Sequence, residues 1–281
     1  MNNIQELNFP IVLYKYRGYE GENVIKNYNA KTLLNFELFA SSPKNFNDPF
    51  DLSLPYVFSN DSFTLDNFIN EYFELLDPKV LKGKKKEEIL YDATRQYNFM
   101  KYNPEEFWNS RAELISSLDH DFYGVLSLAK NYDNILMWSH YSNFHKGYCI
   151  GFDTNLFFDL ISKKYEEFGC KIGPVNYQLD YPEIDFTKQR DIKTSFVRCF
   201  TKHKCWEYES EYRLVLNNLP NEIISYPKEI IKEIYLGCKM TDLHCKEILE
   251  FIKSQNLANV KVYKMKMGYH SFCVEPKEII I

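Results

Sequence analysis

Residues 206–216 read Trp206-Glu207-Tyr208-Glu209-Ser210-Glu211-Tyr212-Arg213-Leu214-Val215-Leu216. From Tyr208 to Leu216 the pattern alternates with the period of a strand. A strand here puts Tyr208, Ser210, Tyr212, Leu214 and Leu216 on one face. Glu207, Glu209, Glu211 and Arg213 then share the other. Three carboxylates in a row repel unless something positive lies opposite. On pattern alone they suit the solvated face of an edge strand. The chemical alternative is a carboxylate pair, oriented by Arg213, that stabilises a cationic transition state or grips ribose hydroxyls.

Outward from this segment, strand and helix patterns interleave without regular βαβ units. Ile11–Arg17, Asn35–Ala40, Gly124–Ala129, Tyr148–Phe152, Glu233–Leu236 and Val260–Met265 read as strands, and Lys171–Leu179 as extended chain. Helical patterns cover Glu22–Ala30, Asp133 to about Phe144 (closed by Gly147), a segment starting at Thr154, Phe186–Lys204 and Asp242–Ser254. Residues 63–119 are rich in Glu, Lys, Leu and Phe, with Phe68, Tyr72, Leu75, Leu76, Phe107, Leu114 and Leu118 at helical spacing. Pro104 followed by Glu105 and Glu106 marks a helix start, and Pro78–Gly83 the weakest joint. The expected fold is α+β: one domain over 1–281, with a mainly antiparallel or mixed sheet, helices around it, and a helical insertion at 63–119.

Composition narrows the function classes. A chain of 281 residues with 22 Tyr, 22 Phe and 10 Gly has ample material for a core and favours sheet. Its 34 Lys+Arg against 39 Asp+Glu give a net charge of −5, which disfavours a strongly basic duplex-binding protein. Lys82, Lys84, Lys85 and Lys86 read as a solvated helix start. Met1–Asn8 is polar and unlike a signal peptide, and no window approaches a membrane span, so no membrane partner is expected. Seven cysteines at irregular spacings fit reduced thiols in a cytoplasm. Cys199, His203 and Cys205 are close in sequence, but without a Cys-x-x-Cys pair no metal is expected. There is no phosphate-binding glycine loop, Gly-x-Ser-x-Gly elbow or dinucleotide fingerprint.

Three further segments carry reactive groups. In Asp133-Asn134-Ile135-Leu136-Met137-Trp138-Ser139-His140-Tyr141, Asp133 can cap a helix whose Trp138 and Tyr141 share a face with His145. That face reads as a core stripe or as a pocket wall with histidines for polar contact or proton transfer. Ser41-Ser42-Pro43-Lys44-Asn45-Phe46-Asn47-Asp48-Pro49-Phe50-Asp51 is a turn that can present Asn47 and Asp48 to a ligand. Tyr14-Lys15-Tyr16-Arg17 puts the two tyrosines on one face of the first strand and the two cations on the other, with Arg17 suited to phosphate or carboxylate.

In this order, Tyr14–Arg17, Phe46–Asp51, Leu136–Tyr141 with His145-Lys146-Gly147, and Trp206–Arg213 resemble the bacterial family termed domain of unknown function 2971. The resemblance supplies no activity. It implies a bacterial setting and, through related proteins, phage resistance. A more distant likeness in motif order is to ADP-ribosyltransferases, in which an Arg or His on an opening strand, an aromatic residue or Ser on a middle strand and a catalytic Glu on a late strand form the site. Arg17, then Tyr141 or His140, then Glu209-x-Glu211 is similar in order. His140 and Tyr141, however, adjoin on a helix rather than lying on separate strands.

The leading expectation is therefore an NAD-consuming transferase or glycohydrolase. NAD is its substrate, and a protein or nucleic-acid acceptor is possible. Glu211 would stabilise the sugar cation, Glu209 would orient the acceptor or activate water, and His140 would assist. Tyr14, Arg17, Asn47, Asp48, Trp138, Tyr141, His145 and Arg213 would line the ligand site. The alternatives are a nuclease or phosphohydrolase holding a divalent metal on Asp48, Asp51, Glu209 and Glu211, and a non-catalytic module that senses a nucleotide or effector.

Overall fold

A computed structural model describes residues 9–21, 28–54, 64–75, 83–104, 106–107, 110, 120–182, 184, 192–257 and 259–280. Its strands are β1 (Val12–Arg17), β2 (Glu37–Ala40), β3 (Tyr123–Ala129), β4 (Tyr148–Asp153), β5 (Cys170–Pro174), β6 (Asn176–Gln178), β7 (Thr201–His203), β8 (Glu211–Asn217), β9 (Glu222–Ser225), β10 (Ile231–Leu236), β11 (Lys261–Met267) and β12 (Val274–Ile279). Eight of them form one sheet in the order β12-β11-β10-β4-β1-β3-β8-β5. Only the β10–β11 pair in it is parallel, so the fold is α+β with a mixed sheet. Two short pairs, β2–β9 and β6–β7, stand apart.

The core follows from alternation. On one face of the sheet, Leu13, Leu126, Ile150, Phe152, Leu214, Leu216 and Ile234 pack with Phe157 and Ile161 of helix Thr154–Lys164 and Ile248 and Ile252 of helix Asp242–Ser254. Each such side chain contributes about 1.5–3 kcal/mol when fully buried. Both helices start on side-chain caps: Asp153 accepts the Leu156 N–H and Thr241 the His244 N–H. A second cluster gathers Tyr14, Tyr16, Trp138, Cys149 and Tyr235.

The sheet is nearly severed between β1 and β3. β1 pairs with β4 at six positions but with β3 only at Tyr14 and Ala129. Farther along β3, Val125 exchanges both backbone hydrogen bonds with Ser41 instead. Between these two attachments the Ser127 carbonyl accepts the Lys15 ammonium at 2.5 Å. A side chain of β1 thus replaces the missing strand contact.

Elsewhere the expected elements shift. The helix expected from Asp133 is Ile135–Tyr141, capped by Asn134, whose carboxamide accepts the Leu136 and Met137 N–H groups at 2.9 and 3.1 Å. Asn143, Phe144 and His145 then take left-handed backbone angles, with φ of 49°, 56° and 68°. Gly147 follows where a Cβ would lie 2.0 Å from the Arg17 carbonyl oxygen. The helix expected over Phe186–Lys204 is described from Ile192 and ends at Phe200, giving way to β7. In the insertion, helices Leu65–Leu75 and Lys86–Tyr102 pack through Phe68, Ala93 and Met100, with Phe107. Leu76, Leu114, Leu118, Pro78–Lys82 and residues 22–27 of the first expected helix lie outside the described residues. Among the described residues, no helix is long and apolar enough to cross a membrane.

Candidate functional site

The decisive segment is not one strand. Lys204–Glu209 forms a 3-10 helix, and Ser210 turns the chain with φ 45° and ψ 51° before β8 begins at Glu211. Glu209 therefore arrives from a helix end and Glu211 from a strand, and Glu207 stays exposed. β8 lies between β3 and β5, so it is not an edge. Glu211 and Arg213 are buried, which overturns the solvated-edge reading.

These residues build an ionic cluster. Arg213 makes a two-pronged contact with Asp51 at 2.8 and 2.6 Å. It also reaches Glu211 at 2.7 and 3.1 Å and the Cys199 carbonyl at 2.9 Å. Lys202, on β7, donates to Glu209 at 2.6 Å and to Glu211 at 3.3 Å, and lies 3.6 Å from Asp51. Three carboxylates thus surround two cations, all buried. Such a cluster is costly to desolvate, and removing one partner leaves an uncompensated charge.

The two glutamates differ. Burial alone would raise the Glu211 carboxyl, but Arg213 and Lys202, with the Ser127 hydroxyl donating, hold it down at about 2. Both of its oxygens are taken by these cations. For Glu209, burial wins over Lys202, and the charge of Glu211 adds to it, so its pKa lies above the ordinary 4.5. Its partners are Lys202 and the Tyr141 phenol, which donates at 2.5 Å. Asn47 in turn hydrogen-bonds the Tyr141 phenol.

A cavity of about 640 Å³ opens at the split between β1 and β3. Its lining includes Tyr14, Lys15, Tyr16 and Arg17. Consecutive strand residues face opposite ways, so the cavity reaches the open edge of β1. Ser127 and the carboxylates Asp51, Glu209 and Glu211 line it as well. Burial, with Arg17 alongside, pushes the Lys15 ammonium well below its usual range. Arg17 donates from Nε to Thr32 at 3.0 Å. Trp206 and Phe46 supply aromatic walls, with Lys202 4.9 Å from the Trp206 ring centre.

Of the residues expected at a ligand site, Tyr14, Arg17, Asn47, His140, Tyr141, Glu209 and Glu211 line this one cavity. His140 is held there through a 3.0 Å contact between Nδ1 and the Tyr208 hydroxyl. Four do not line it. Trp138 is fully buried, edge-on to Tyr16, because its helix packs that face against β1. His145 leaves the helix face at the left-handed turn and contacts Ser139 at 3.0 Å and Cys238 at 3.6 Å. Asp48 accepts the Phe50 N–H at 3.0 Å and lines an adjoining cavity. Arg213 lies behind the carboxylates. The sequence reading did not single out Lys202, Lys15 or Ser127. The three repelling carboxylates signalled that a cation was needed, but nothing marked Lys202 as that cation.

Comparison with curated proteins and with solved structures finds no match in either. Residues 137–214, which hold the Trp138–Tyr141 and Glu209–Arg213 motifs but not the two N-terminal ones, match the model of the family described as Protein of unknown function (DUF2971), the family that the sequence motifs resemble.

Proposed function

We propose that this chain cleaves the nicotinamide–ribose bond of NAD, as a transferase or a glycohydrolase. The observation that carries the reading is one cavity lined by the Glu209 carboxylate, the Arg17 cation and the Lys15 amine together. Such a cavity complements a substrate with an anionic pyrophosphate and a cationic ribosyl–nicotinamide end. An anion near Lys15 would restore its charge. The cavity's size lies within the range of small-molecule sites.

Nicotinamide leaves as a neutral molecule, so no strong general acid is needed. The barrier is the developing sugar cation, which a nearby carboxylate stabilises. We assign that role to Glu209. Glu211 has both oxygens bound by Arg213 and Lys202, which suits it to fix Lys202 and the cluster. Tyr141 orients Glu209, and Trp206 or Phe46 offers a stacking surface. The metal-dependent nuclease reading has less support, because Lys202 and Arg213 already sit among Asp51, Glu209 and Glu211. A cytoplasmic setting fits the seven free thiols. A place in bacterial stress or phage defence rests on the family resemblance alone.

The test is incubation of the purified protein with NAD labelled in the nicotinamide. Magnesium-independent release of nicotinamide supports the reading. Saturable binding without release favours a sensor instead, and a strict magnesium requirement favours the nuclease.

A further inference from the structure

A second cavity, of about 570 Å³, adjoins the first and shares Lys202 and Trp206 as its wall. Phe50, Leu179 and Tyr181 line it while remaining 61%, 68% and 50% exposed. Large apolar side chains gathered around a concavity mark a ligand site more than a bare surface. The charges in its lining are unbalanced. Asp48 and Asp180 both line it, and among the described residues neither forms an ion pair. Among the described residues its one lysine, Lys202, already faces three carboxylates. The Nδ1 of His203 is taken by the Cys205 N–H at 3.2 Å. An apolar, aromatic-lined cavity with Asp48 buried in its wall and Asp180 exposed at its rim, neither of them ion-paired among the described residues, favours a cationic nitrogen on an aromatic or aliphatic body over an anion of the same shape.

We propose that this cavity binds a small organic amine and that the amine is the acceptor for the group released in the first cavity. The acceptor role rests on the NAD reading. Glu209 lines the first cavity and is held at 2.6 Å by Lys202 of the shared wall, so an amine that reaches past this wall meets Glu209. In the step, the bond from ribose C1′ to nicotinamide breaks, and its electron pair leaves with nicotinamide. The bound ammonium first gives one proton to solvent water; the freed amine's lone pair then forms the new C1′–N bond, and the second proton, shed on bonding, passes to the Glu209 carboxylate and then to water.

Phenethylamine is the probe and phenylpropionate the control of opposite charge. Calorimetry should detect saturable binding of phenethylamine alone, at least tenfold weaker in Asp180→Asn, a loss of about 1.4 kcal/mol. With NAD present, mass spectrometry should detect an ADP-ribose–phenethylamine adduct in place of part of the free ADP-ribose. Equal binding of phenylpropionate, or unchanged affinity in Asp180→Asn, overturns the amine site. If NAD is consumed but phenethylamine neither binds nor forms an adduct, the acceptor proposal falls and NAD cleavage stands. If phenethylamine binds as expected but NAD is untouched, the amine site stands, and the cleavage reading and the acceptor role fall together.

Discussion

Arg213 and Asp51, 162 residues apart in the chain, meet in a buried two-pronged ion pair at 2.8 and 2.6 Å. The pair ties the Asn-Asp-Pro turn to the Glu-x-Glu-x-Arg strand, so two motifs that look independent in sequence form one structure. Asp51→Asn should therefore cost about 3–5 kcal/mol, because it leaves part of a buried guanidinium charge uncompensated. Urea unfolding measures this. A loss under about 1 kcal/mol would mean that solvent already screens the pair.

Lys202 faces all three carboxylates of the cluster. Lys202→Met should destabilise the fold by about 3–5 kcal/mol and push Glu209 toward its neutral form at a higher pH than in the wild type. Both follow from denaturation curves recorded over a pH series. A Met variant as stable as the wild type would show that the cluster does not hold the fold together.

The pH dependence has opposite signs for the two glutamates. Glu209 has a raised folded pKa, so just above pH 4.5 the folded state holds a proton that the unfolded chain has lost, and stability falls as pH rises through that window. Glu211 is depressed to about 2, so its contribution is present above about 4.5 and disappears as pH falls toward 2. Tyr141→Phe removes a hydrogen bond that favours the Glu209 carboxylate. The acid limb of the pH–rate profile should then move to higher pH, and an unmoved limb would separate Tyr141 from the chemistry.

Gly147 holds the turn after the Ile135–Tyr141 helix against β1. A Cβ there would sit 2.0 Å from the Arg17 carbonyl. Gly147→Ala should cost about 1–3 kcal/mol by overpacking and shift Arg17 in the cavity. Thermal denaturation checks the first effect. A neutral alanine would show that the backbone has room to yield.

Apolar runs or apolar alternation made most of the longer strands readable, while the short β9 was not. β1, β3, β4, β10 and β11 lie within a few residues of their expected positions, and helix Asp242–Ser254 has the expected bounds. β12 went unread because four of its six residues are exposed and it contains Pro276, so it carries no apolar alternation. The 206–213 segment misled because Tyr208 and Ser210 mimic strand parity inside a 3-10 helix and a left-handed turn. The same false parity still grouped Glu209, Glu211 and Arg213, which the structure brings together by a different route. Lys202 was hidden inside an expected helix, since a three-residue strand after Phe200 has too few residues to reveal a period.

In the proposed reaction Glu209 serves the chemistry and Glu211 serves the cluster. After Glu209→Gln, Lys202 keeps Glu211 and Asp51 and Arg213 keeps both of its carboxylates, whereas Glu211→Gln takes a carboxylate from both cations at once. The direct measurement is nicotinamide release from NAD alongside urea unfolding for both variants. Glu209→Gln should keep stability within about 1 kcal/mol of wild type and lose about a hundredfold or more in kcat, while Glu211→Gln should lose about 3–5 kcal/mol of stability. A Glu209→Gln protein that folds normally and releases nicotinamide at the wild-type rate would remove Glu209 from the chemistry.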